Sequence, residues 1–417
     1  MNRLYSLFTA LLMFFFTGCT LSTSEWVQFQ EDFSDLDPKT SFIPFRTESN
    51  VLNEQMAASL DLSEENSSKT TSTNGANLLR ALISGYYGKS IRSYCGTYHS
   101  VDHQGNPIVL SGRIMIPADG KVSRIMLVSH FTIGADREAP SEELPLEAIY
   151  AAHGVAVVET DYIGYGVSAD KIHPYLCAEV TAKNVIHMYY AALPFLKKLG
   201  CSPAFDDIFL LGFSQGGAVT MSVAQEIYMN YPDIKVRLVM CGGGPYDICE
   251  TYNTLIGNDA TDYPCAIPMI VQGLGYGNNL NLDYSKFFLP MLVENLDEWI
   301  NSKKYSMAEI TQLIGSKRIS SIMTEDAMNK TADIMTDLYR AMLDNSVIYG
   351  CVPDYPIYMY HSFDDNVVPF VNADNMSARL ADANVIYNFG HFGTHQISTL
   401  RFFLCCVDLL KENGDIY

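Results

Sequence analysis

The sequence predicts an α/β fold in which a mostly parallel sheet is flanked by helices. Short apolar segments at 125–129, 154–160 and 207–211 lack a clean alternation of polar and apolar residues, which is typical of strands buried on both faces. Helical periodicity at 178–198 and 218–231 lies between such segments. Alternating strands and helices build a parallel sheet through right-handed crossovers.

The remaining elements extend this sheet in chain order. Further strands are predicted at 107–117, 236–240, 356–360 and 384–387, and a last helix at 396–411. The segment 19–75 is predicted to be a tether and lead-in, because its stretch 64–74 is polar and has nothing to bury. A chain of 417 residues with 48% hydrophobic content can bury a substantial core, so we expect one large enzyme-sized domain.

One segment, 246–352, interrupts the alternation of strands and helices. Its helical patterns lie near 287–299, 307–313 and 325–342. Because sheet strands resume after it, we interpret the segment as an inserted helical lid and not as a separate C-terminal domain. The core would then consist of two parts, residues 76–245 and 353–417. Lids of this kind shape an apolar pocket and exclude water.

The N-terminus predicts export. A basic start precedes an apolar run at 4–16, which is too short to span a bilayer and suits a signal peptide covering 1–18. The segment Thr17-Gly18-Cys19 is similar to a bacterial lipoprotein box, which implies cleavage before Cys19 and membrane attachment through a lipid on that residue. We therefore expect a lipoprotein at the outer membrane, cell surface or periplasmic face. The alternative is an ordinary secretory signal with an incidental cysteine, and a secreted protein.

Composition argues against several kinds of partner. The formal net charge of −20 disfavours nucleic acid, because phosphate binding needs a basic face. The ten cysteines include no Cys-x-x-Cys pair, and Cys405 and Cys406 are adjacent, so we expect no metal site. No motif implies an organic cofactor. Export permits disulfides, and the sequence leaves their pairing open.

A serine lies on a sharp turn directly after the apolar strand at 207–211. The segment Gly212-Phe213-Ser214-Gln215-Gly216 is followed by a helix that opens at Ala218. Strand, turn and helix in this order are the context of a Gly-x-Ser-x-Gly nucleophile elbow, in which small residues allow the tight backbone. The pattern predicts an α/β-hydrolase fold with Ser214 as the nucleophile. The alternative is a glycine-rich packing turn without chemistry.

An acid is expected after the lid, since the order of catalytic residues in this fold is Ser, then Asp or Glu, then His. The segment 360–369 follows a predicted strand and resembles the hydrolase turn His-Gly-x-x-Asp-x-x-Val-Pro. That resemblance assigns the acid to Asp365. The neighbouring Asp364 is the alternative, although it can also be an ordinary turn aspartate.

The base is expected just after the last strand, where the segment 388–395 offers two histidines. His391 follows the strand immediately, in the Gly-His setting common for this role, and we predict it as the base. His395 lies four residues further on, where the terminal helix begins. It is the alternative base, or else a residue that caps the helix or contacts the lid.

Acyl transfer also needs donors for the oxyanion, which are usually two backbone N–H groups. The first is expected from Gln215, at the start of the helix after the nucleophile, where the helix dipole assists. The second is expected from the loop after the strand that ends at Ser129-His130, which means Phe131 or Thr132.

Three segments besides the elbow make a family resemblance specific. They are Asp161-Tyr162-Ile163-Gly164-Tyr165-Gly166, His173-Pro174-Tyr175-Leu176 and Ala139-Pro140-Ser141. Together they are similar to the fungal secretory lipase family and its bacterial relatives, over roughly residues 105–410. The chain departs from the fungal members in its predicted lipid anchor and in the lid, whose sequence shows no match.

The resemblance implies a serine carboxylic-ester hydrolase, a lipase or esterase, with Ser214, Asp365 and His391 as its catalytic residues. Its partner would be a small-molecule ester or lipid, hydrolysed through an acyl-enzyme without any cofactor. One alternative is a serine peptidase of the same fold, similar to prolyl peptidases or aminopeptidases. Such enzymes normally carry a propeller or a charged anchor for the substrate amine, and no internal repeat supplies the propeller. The other is an inactive surface-binding protein.

Overall fold

The computed structural model describes residues 27–28, 31–51 and 90–416. The predicted signal peptide, Cys19 and the polar stretch 64–74 lie outside these residues, so lipidation stays a prediction. In the described part of the chain, none of the helices combines the length and apolar composition that crossing a bilayer requires.

Ten strands form one sheet, and the predicted α/β fold is confirmed. In chain order they are β1 Val27–Gln28, β2 Ile43–Val51, β3 Ser90–Val101, β4 Pro107–Pro117, β5 Ile125–Ser129, β6 Ala156–Thr160, β7 Asp207–Phe213, β8 Lys235–Gly242, β9 Ile357–Ser362 and β10 Val385–Gly390. Their order across the sheet is β1-β2-β3-β4-β6-β5-β7-β8-β9-β10. The strands from β1 to β4 pair antiparallel, as β4 does with β6, and all pairs from β6 to β10 are parallel.

Helices cover both faces of the sheet. They are α1 Ala148–Ala152, α2 Ala178–Lys198, α3 Gln215–Asn230, α4 Ile248–Asn258, α5 Ala266–Gly277, α6 Tyr284–Phe287, α7 Pro290–Val293, α8 Met307–Ile314, α9 Glu325–Met328, α10 Ala332–Asn345, α11 Val371–Arg379 and α12 His395–Glu412. Short 3₁₀ turns occupy Asp136–Glu138, Gly166–Ser168, Ile319–Ser321 and Val347–Tyr349, and a π-helical turn occupies Asp297–Asn301.

Two apolar cores lie on opposite faces of the parallel strands. One contains buried residues of α2 and α3 and continues into the inserted helices, and the other contains residues of α1 and α12. Strand residues such as Leu210 and Leu211 face opposite cores, which explains why the sequence shows apolar runs without alternation.

The helices α4 to α10 lie between β8 and β9, where the sequence predicts the lid. We call them the cap. By contrast, part of the predicted tether belongs to the sheet, since β2 pairs along β3 and Phe42 is fully buried. The residues from 43 to 51 gain their ladder partners from a strand about forty residues further along the chain, which a local reading of composition does not reveal.

Candidate active site

Ser214 lies at the tightest turn of the parallel sheet, between the end of β7 and the start of α3. Its backbone has φ 60° and ψ −126°, a combination that is strained for a residue with a side chain. The amide of Ser214 donates to the carbonyl oxygen of Gly242 on the adjacent strand, at 2.9 Å. This is the geometry of a nucleophile elbow, which holds the hydroxyl group above the carboxyl end of the sheet.

Two glycines make this turn possible. A Cβ atom at Gly212 would collide with the carbonyl oxygen of Gly216, and a Cβ at Gly216 would collide with that of Ser129. The end of β5 therefore lies against the first turn of α3, and the elbow can exist only where both positions lack a side chain.

We expect Gly216→Ala to destabilise the fold by about 3 kcal/mol, because the new methyl group overlaps a backbone oxygen that cannot yield. Gly257→Ala is the matched control. Gly257 is exposed near the end of α4 with open space around its Cα, so alanine should raise the free energy of unfolding by up to about 1 kcal/mol. Urea denaturation followed by circular dichroism measures both changes. Equal stability of the two variants would contradict the packing at the elbow.

Ser214 shares a hydrogen-bonded chain with a histidine and an aspartate. His395 Nε2 lies 2.8 Å from Ser214 Oγ, and His395 Nδ1 lies 2.6 Å from Asp365 Oδ2. Since a carboxylate can only accept, Nδ1–H donates to Asp365, which leaves Nε2 free to accept the proton of the Ser214 hydroxyl. All three side chains are buried.

His391, which the sequence favoured as the base, lies elsewhere. Its side chain is 76% exposed, and its Nδ1 lies 2.9 Å from Asp364 Oδ1. The favoured base is thus paired with the alternative acid at the surface. Of the two histidines, only His395 reaches Ser214, so the geometry favours His395 over the predicted His391 as the candidate base.

The path of the loop between β10 and α12 explains this difference. Ser362 Oγ donates to the carbonyl oxygen of Gly393 at 2.7 Å and accepts from the amide of Phe392 at 3.1 Å. These bonds fold the loop back over the turn that carries the acid, so His391 emerges on the surface and α12 begins at His395. A usable signal was the helix itself, since position 395 shares its buried face with Ser398 and Phe402.

Asp365, the predicted acid, faces His395. Its Oδ1 accepts from the amides of Val367 and Val368 at 2.9 and 2.8 Å. Burial raises the pKa of Asp365, but the facing His395, the nearby His361 and the amide of Val367 outweigh burial and leave the pKa below its ordinary value. The carboxyl group is therefore ionised at neutral pH, as a group that orients an imidazole must be.

His361 is a neighbour of the acid that sequence reasoning missed. Its Nε2 lies 3.0 Å from the carbonyl oxygen of Val368 and 3.5 Å from Asp365 Oδ2. Burial lowers the pKa of His361, so the imidazole is neutral and its Nε2–H donates to that carbonyl. The residue fixes the turn that presents Asp365.

The predicted oxyanion residues lie around Ser214. The segment 130–133, which we call the oxyanion loop, follows β5, and its Phe131 and Thr132 line the same cleft as Ser214 and His395. Gln215 is the first residue of α3, so its amide has no acceptor within the helix. The structure thus brings the predicted donors and the serine to one end of the sheet.

The side chain of Gln215 is held by His173, whose role the sequence did not reveal. His173 Nδ1 donates to the carbonyl oxygen of Ile163 at 2.7 Å, and its Nε2 accepts from Gln215 Nε2 at 2.8 Å. Burial, followed by the charge of Lys303, lowers the pKa of His173 to about 3, so the imidazole is neutral and can accept.

Tyrosines from the segments 161–166 and 173–176 hold the oxyanion loop. Tyr165 donates its hydroxyl to the carbonyl oxygen of Ile133 at 2.6 Å, and the Tyr175 hydroxyl is 2.8 Å from Thr132 Oγ1. The ring of Tyr162 stacks on that of His130 with centroids 4.0 Å apart. These two motifs therefore hold the oxyanion loop in place through tyrosine side chains.

The serine opens into an apolar cleft between the cap and the core. The cap contributes Leu255, Ile270 and Met307 to its walls, and the core contributes Phe213 and Val368. Such a lining suits an uncharged hydrocarbon chain next to the reacting carbonyl.

Comparison with known families gives one match. A model of the secretory lipase family matches residues 142–396, a segment that includes Ser214, Asp365, His391 and His395. No curated protein sequence matches the chain.

Several solved structures share the fold at low sequence identity. A protein from Legionella pneumophila is 19% identical with a TM-score of 0.72, over 89% of this chain and 97% of that one. The rice cell wall degrading esterase LipA from Xanthomonas oryzae is 20% identical with a TM-score of 0.68, over 80% and 93% of the two chains. Candida antarctica lipase A is 16% identical with a TM-score of 0.56, over 73% of each chain. These likenesses show the α/β-hydrolase fold.

Proposed function

Because the chain belongs to the secretory lipase family, and is thus a hydrolase of the lipase or esterase type, we propose that it cleaves carboxylic esters through an acyl-enzyme on Ser214. The observation that carries the proposal is the position of His395, with one ring nitrogen on Ser214 and the other on Asp365. The family name also agrees with export of the protein.

The first half of the reaction forms the acyl-enzyme. Ser214 Oγ attacks the carbonyl carbon of the ester while its proton passes to His395 Nε2, and Asp365 stabilises the resulting imidazolium. The oxyanion accepts hydrogen bonds from the amide of Gln215 and from an amide of the Phe131–Thr132 loop, which are worth several kcal/mol. Collapse of the tetrahedral intermediate breaks the ester C–O bond, and the alcohol leaves with the proton of His395.

The second half releases the acid. A water molecule gives its proton to His395 and attacks the acyl carbon, and the new oxyanion uses the same amides. The intermediate then expels Ser214 Oγ, which regains a proton from His395. The apolar cleft accommodates the hydrocarbon part of the substrate during both halves.

The proposal is tested with a fluorophosphonate, which reacts with activated serines. We expect stoichiometric labelling of the folded wild-type protein at Ser214, identified by peptide mass spectrometry, and hydrolysis of p-nitrophenyl butyrate. Ser214→Ala should lose the label and lower kcat by about 10⁴-fold or more. Ser222→Ala, at a buried serine in the same helix α3, is the matched control and should keep both. A folded wild-type protein without label or hydrolysis would contradict the proposal.

A further inference from the structure

A second cavity adjoins the cleft, and carboxyl groups line it. It shares Phe131, Thr132, Leu146 and Met307 with the cleft. Its acidic lining residues, which we call the glutamate cluster, are Glu138, Glu143, Glu147 and Glu159. The oxyanion loop therefore has the apolar cleft as one neighbour and an acidic cavity as another.

The carboxyl group of Glu159 is buried beside this cavity without a hydrogen-bond partner in the described part of the protein. Glu159 lies on β6 with 1% of its surface exposed. Glu147, at the start of α1, is 2% exposed and repels it. An unpaired buried carboxylate costs several kcal/mol, so this pair holds a proton or meets a cation.

Two arginines offset part of the negative charge of the cluster. Burial raises the pKa of Glu138 and Glu143, and Arg137 lowers it again in part, but Arg137 is itself paired with Glu309. Burial also raises the pKa of Glu159, which Arg113 lowers in part. Arg113, the cross-strand neighbour of Glu159, is fully buried, and its guanidinium donates to Glu48 at 3.1 Å and to Ser93 at 2.6 Å. Asp161 adds a further acidic group nearby. His130 also lines the cavity, but burial lowers its pKa to about 4, so it contributes no positive charge at neutral pH.

The chemistry of the cavity favours an ammonium group over a metal ion. Among residues 31–51 and 90–416, no three His, Cys, Asp or Glu side chains are arranged so that they could hold a metal ion. A primary ammonium group has three N–H donors and can be bound by a pair of carboxyl groups such as Glu147 and Glu159.

We propose that the glutamate cluster binds a primary ammonium group of the substrate, so that the enzyme prefers esters that carry an amine on their acyl or alcohol part. The preference for amine esters rests on the proposed esterase function, whereas binding of the ammonium group rests on the cavity alone. A free amine would satisfy the same cluster, so the two sources are tested separately.

Binding of an ammonium group should depend on pH with a definite sign. Burial raises the pKa of Glu147 to about 7, and burial followed by the charge of Glu147 raises the pKa of Glu159 well above its ordinary value. A protonated carboxyl group carries no negative charge, so it attracts an ammonium group less than a carboxylate does. Binding therefore strengthens as pH rises from 6 to 8 and is accompanied by proton release, while an alkylamine itself stays charged up to a pH of about 10.

The cation is tested with butylammonium and thermal unfolding, which requires no catalysis. At pH 8 we expect butylammonium to raise the Tm of the wild-type protein more than 1-butanol does. Its Kd should weaken about tenfold in Glu159→Gln and, in the wild type, about tenfold between pH 8 and pH 6. Glutamine matches the shape of the protonated acid, and Glu147→Gln is a second variant of the same pair. Glu412→Gln, at the exposed end of α12, is the charge-matched control.

An equal response of wild type and Glu159→Gln to butylammonium would overturn the cation site.

The substrate is tested with methyl ω-aminoalkanoates and ω-aminoalkyl acetates of three to six carbons, each against its neutral isostere with CH₃ for NH₃⁺. We expect about a tenfold preference in kcat/KM for one amine series at pH 8. In Glu159→Gln the ratio of kcat/KM between the amine ester and its neutral isostere should fall to about one. Amine binding without preference in either series would overturn the substrate assignment, and failure to cleave any neutral ester would contradict the esterase function instead.

Discussion

His395→Ala is expected to lower kcat for ester hydrolysis by about 10⁴-fold or more, while His391→Ala leaves kcat within about fivefold of wild type. The reason is geometric, since only His395 lies within hydrogen-bonding distance of Ser214 Oγ, at 2.8 Å. His391 contacts exposed Asp364, and exposed ion pairs contribute at most about 1 kcal/mol, which corresponds to about fivefold in rate. Steady-state hydrolysis of p-nitrophenyl butyrate measures both variants.

Two controls separate a chemical effect from a structural one. The fluorophosphonate should label His391→Ala at the wild-type rate and His395→Ala very slowly, although Ser214 is present in both. His395 also begins α12 and contacts Phe213, with ring centroids 4.9 Å apart, so the Tm of both variants is compared as well. A severe loss of kcat in His391→Ala together with a wild-type rate in His395→Ala would restore the original prediction.

The difference between the two histidines shows where sequence reasoning succeeds and where it stops. Ser214 was predicted because the strand, the turn and the helix that define the elbow are consecutive in the chain. The base depends instead on how Ser362 holds the loop at Gly393, a bond between residues 31 positions apart. The residues next to His391 in the sequence do not predict the contact between Ser362 and Gly393.

The supporting residues were beyond the sequence for a similar reason. His173 and Gln215 are 42 positions apart, and their meeting explains a motif that the sequence linked only to a family. The glutamate cluster combines residues from β6, from the start of α1 and from the loop after β5, so no single segment of the sequence predicts it. One signal was present, because Glu159 is a charged residue inside an apolar strand buried along its whole length.

Asp365→Asn should lower kcat by about 10⁴-fold, with little change in Tm, and Asp364→Asn is its adjacent matched control. An asparagine amide can donate to Nδ1 of His395, which moves the ring proton to Nε2 and leaves Ser214 Oγ without an acceptor. The side chain of Asp364 is 45% exposed and contacts the surface histidine His391. We therefore expect kcat of Asp364→Asn to stay within about fivefold of wild type.

The expected effect of Asp365→Asn also depends on the base, which links the two predictions. The variant His395→Ala already lacks the imidazole that Asp365 orients, so adding Asp365→Asn should lower kcat by less than about tenfold more, as is found for residues that act as a unit. Adding Asp365→Asn to His391→Ala should still cost the full factor of about 10⁴. Losses that simply multiply in the first double variant would mean that Asp365 acts on Ser214 by a route other than His395. The hydrogen bond of 2.6 Å between His395 Nδ1 and Asp365 Oδ2 makes the non-additive outcome the expected one.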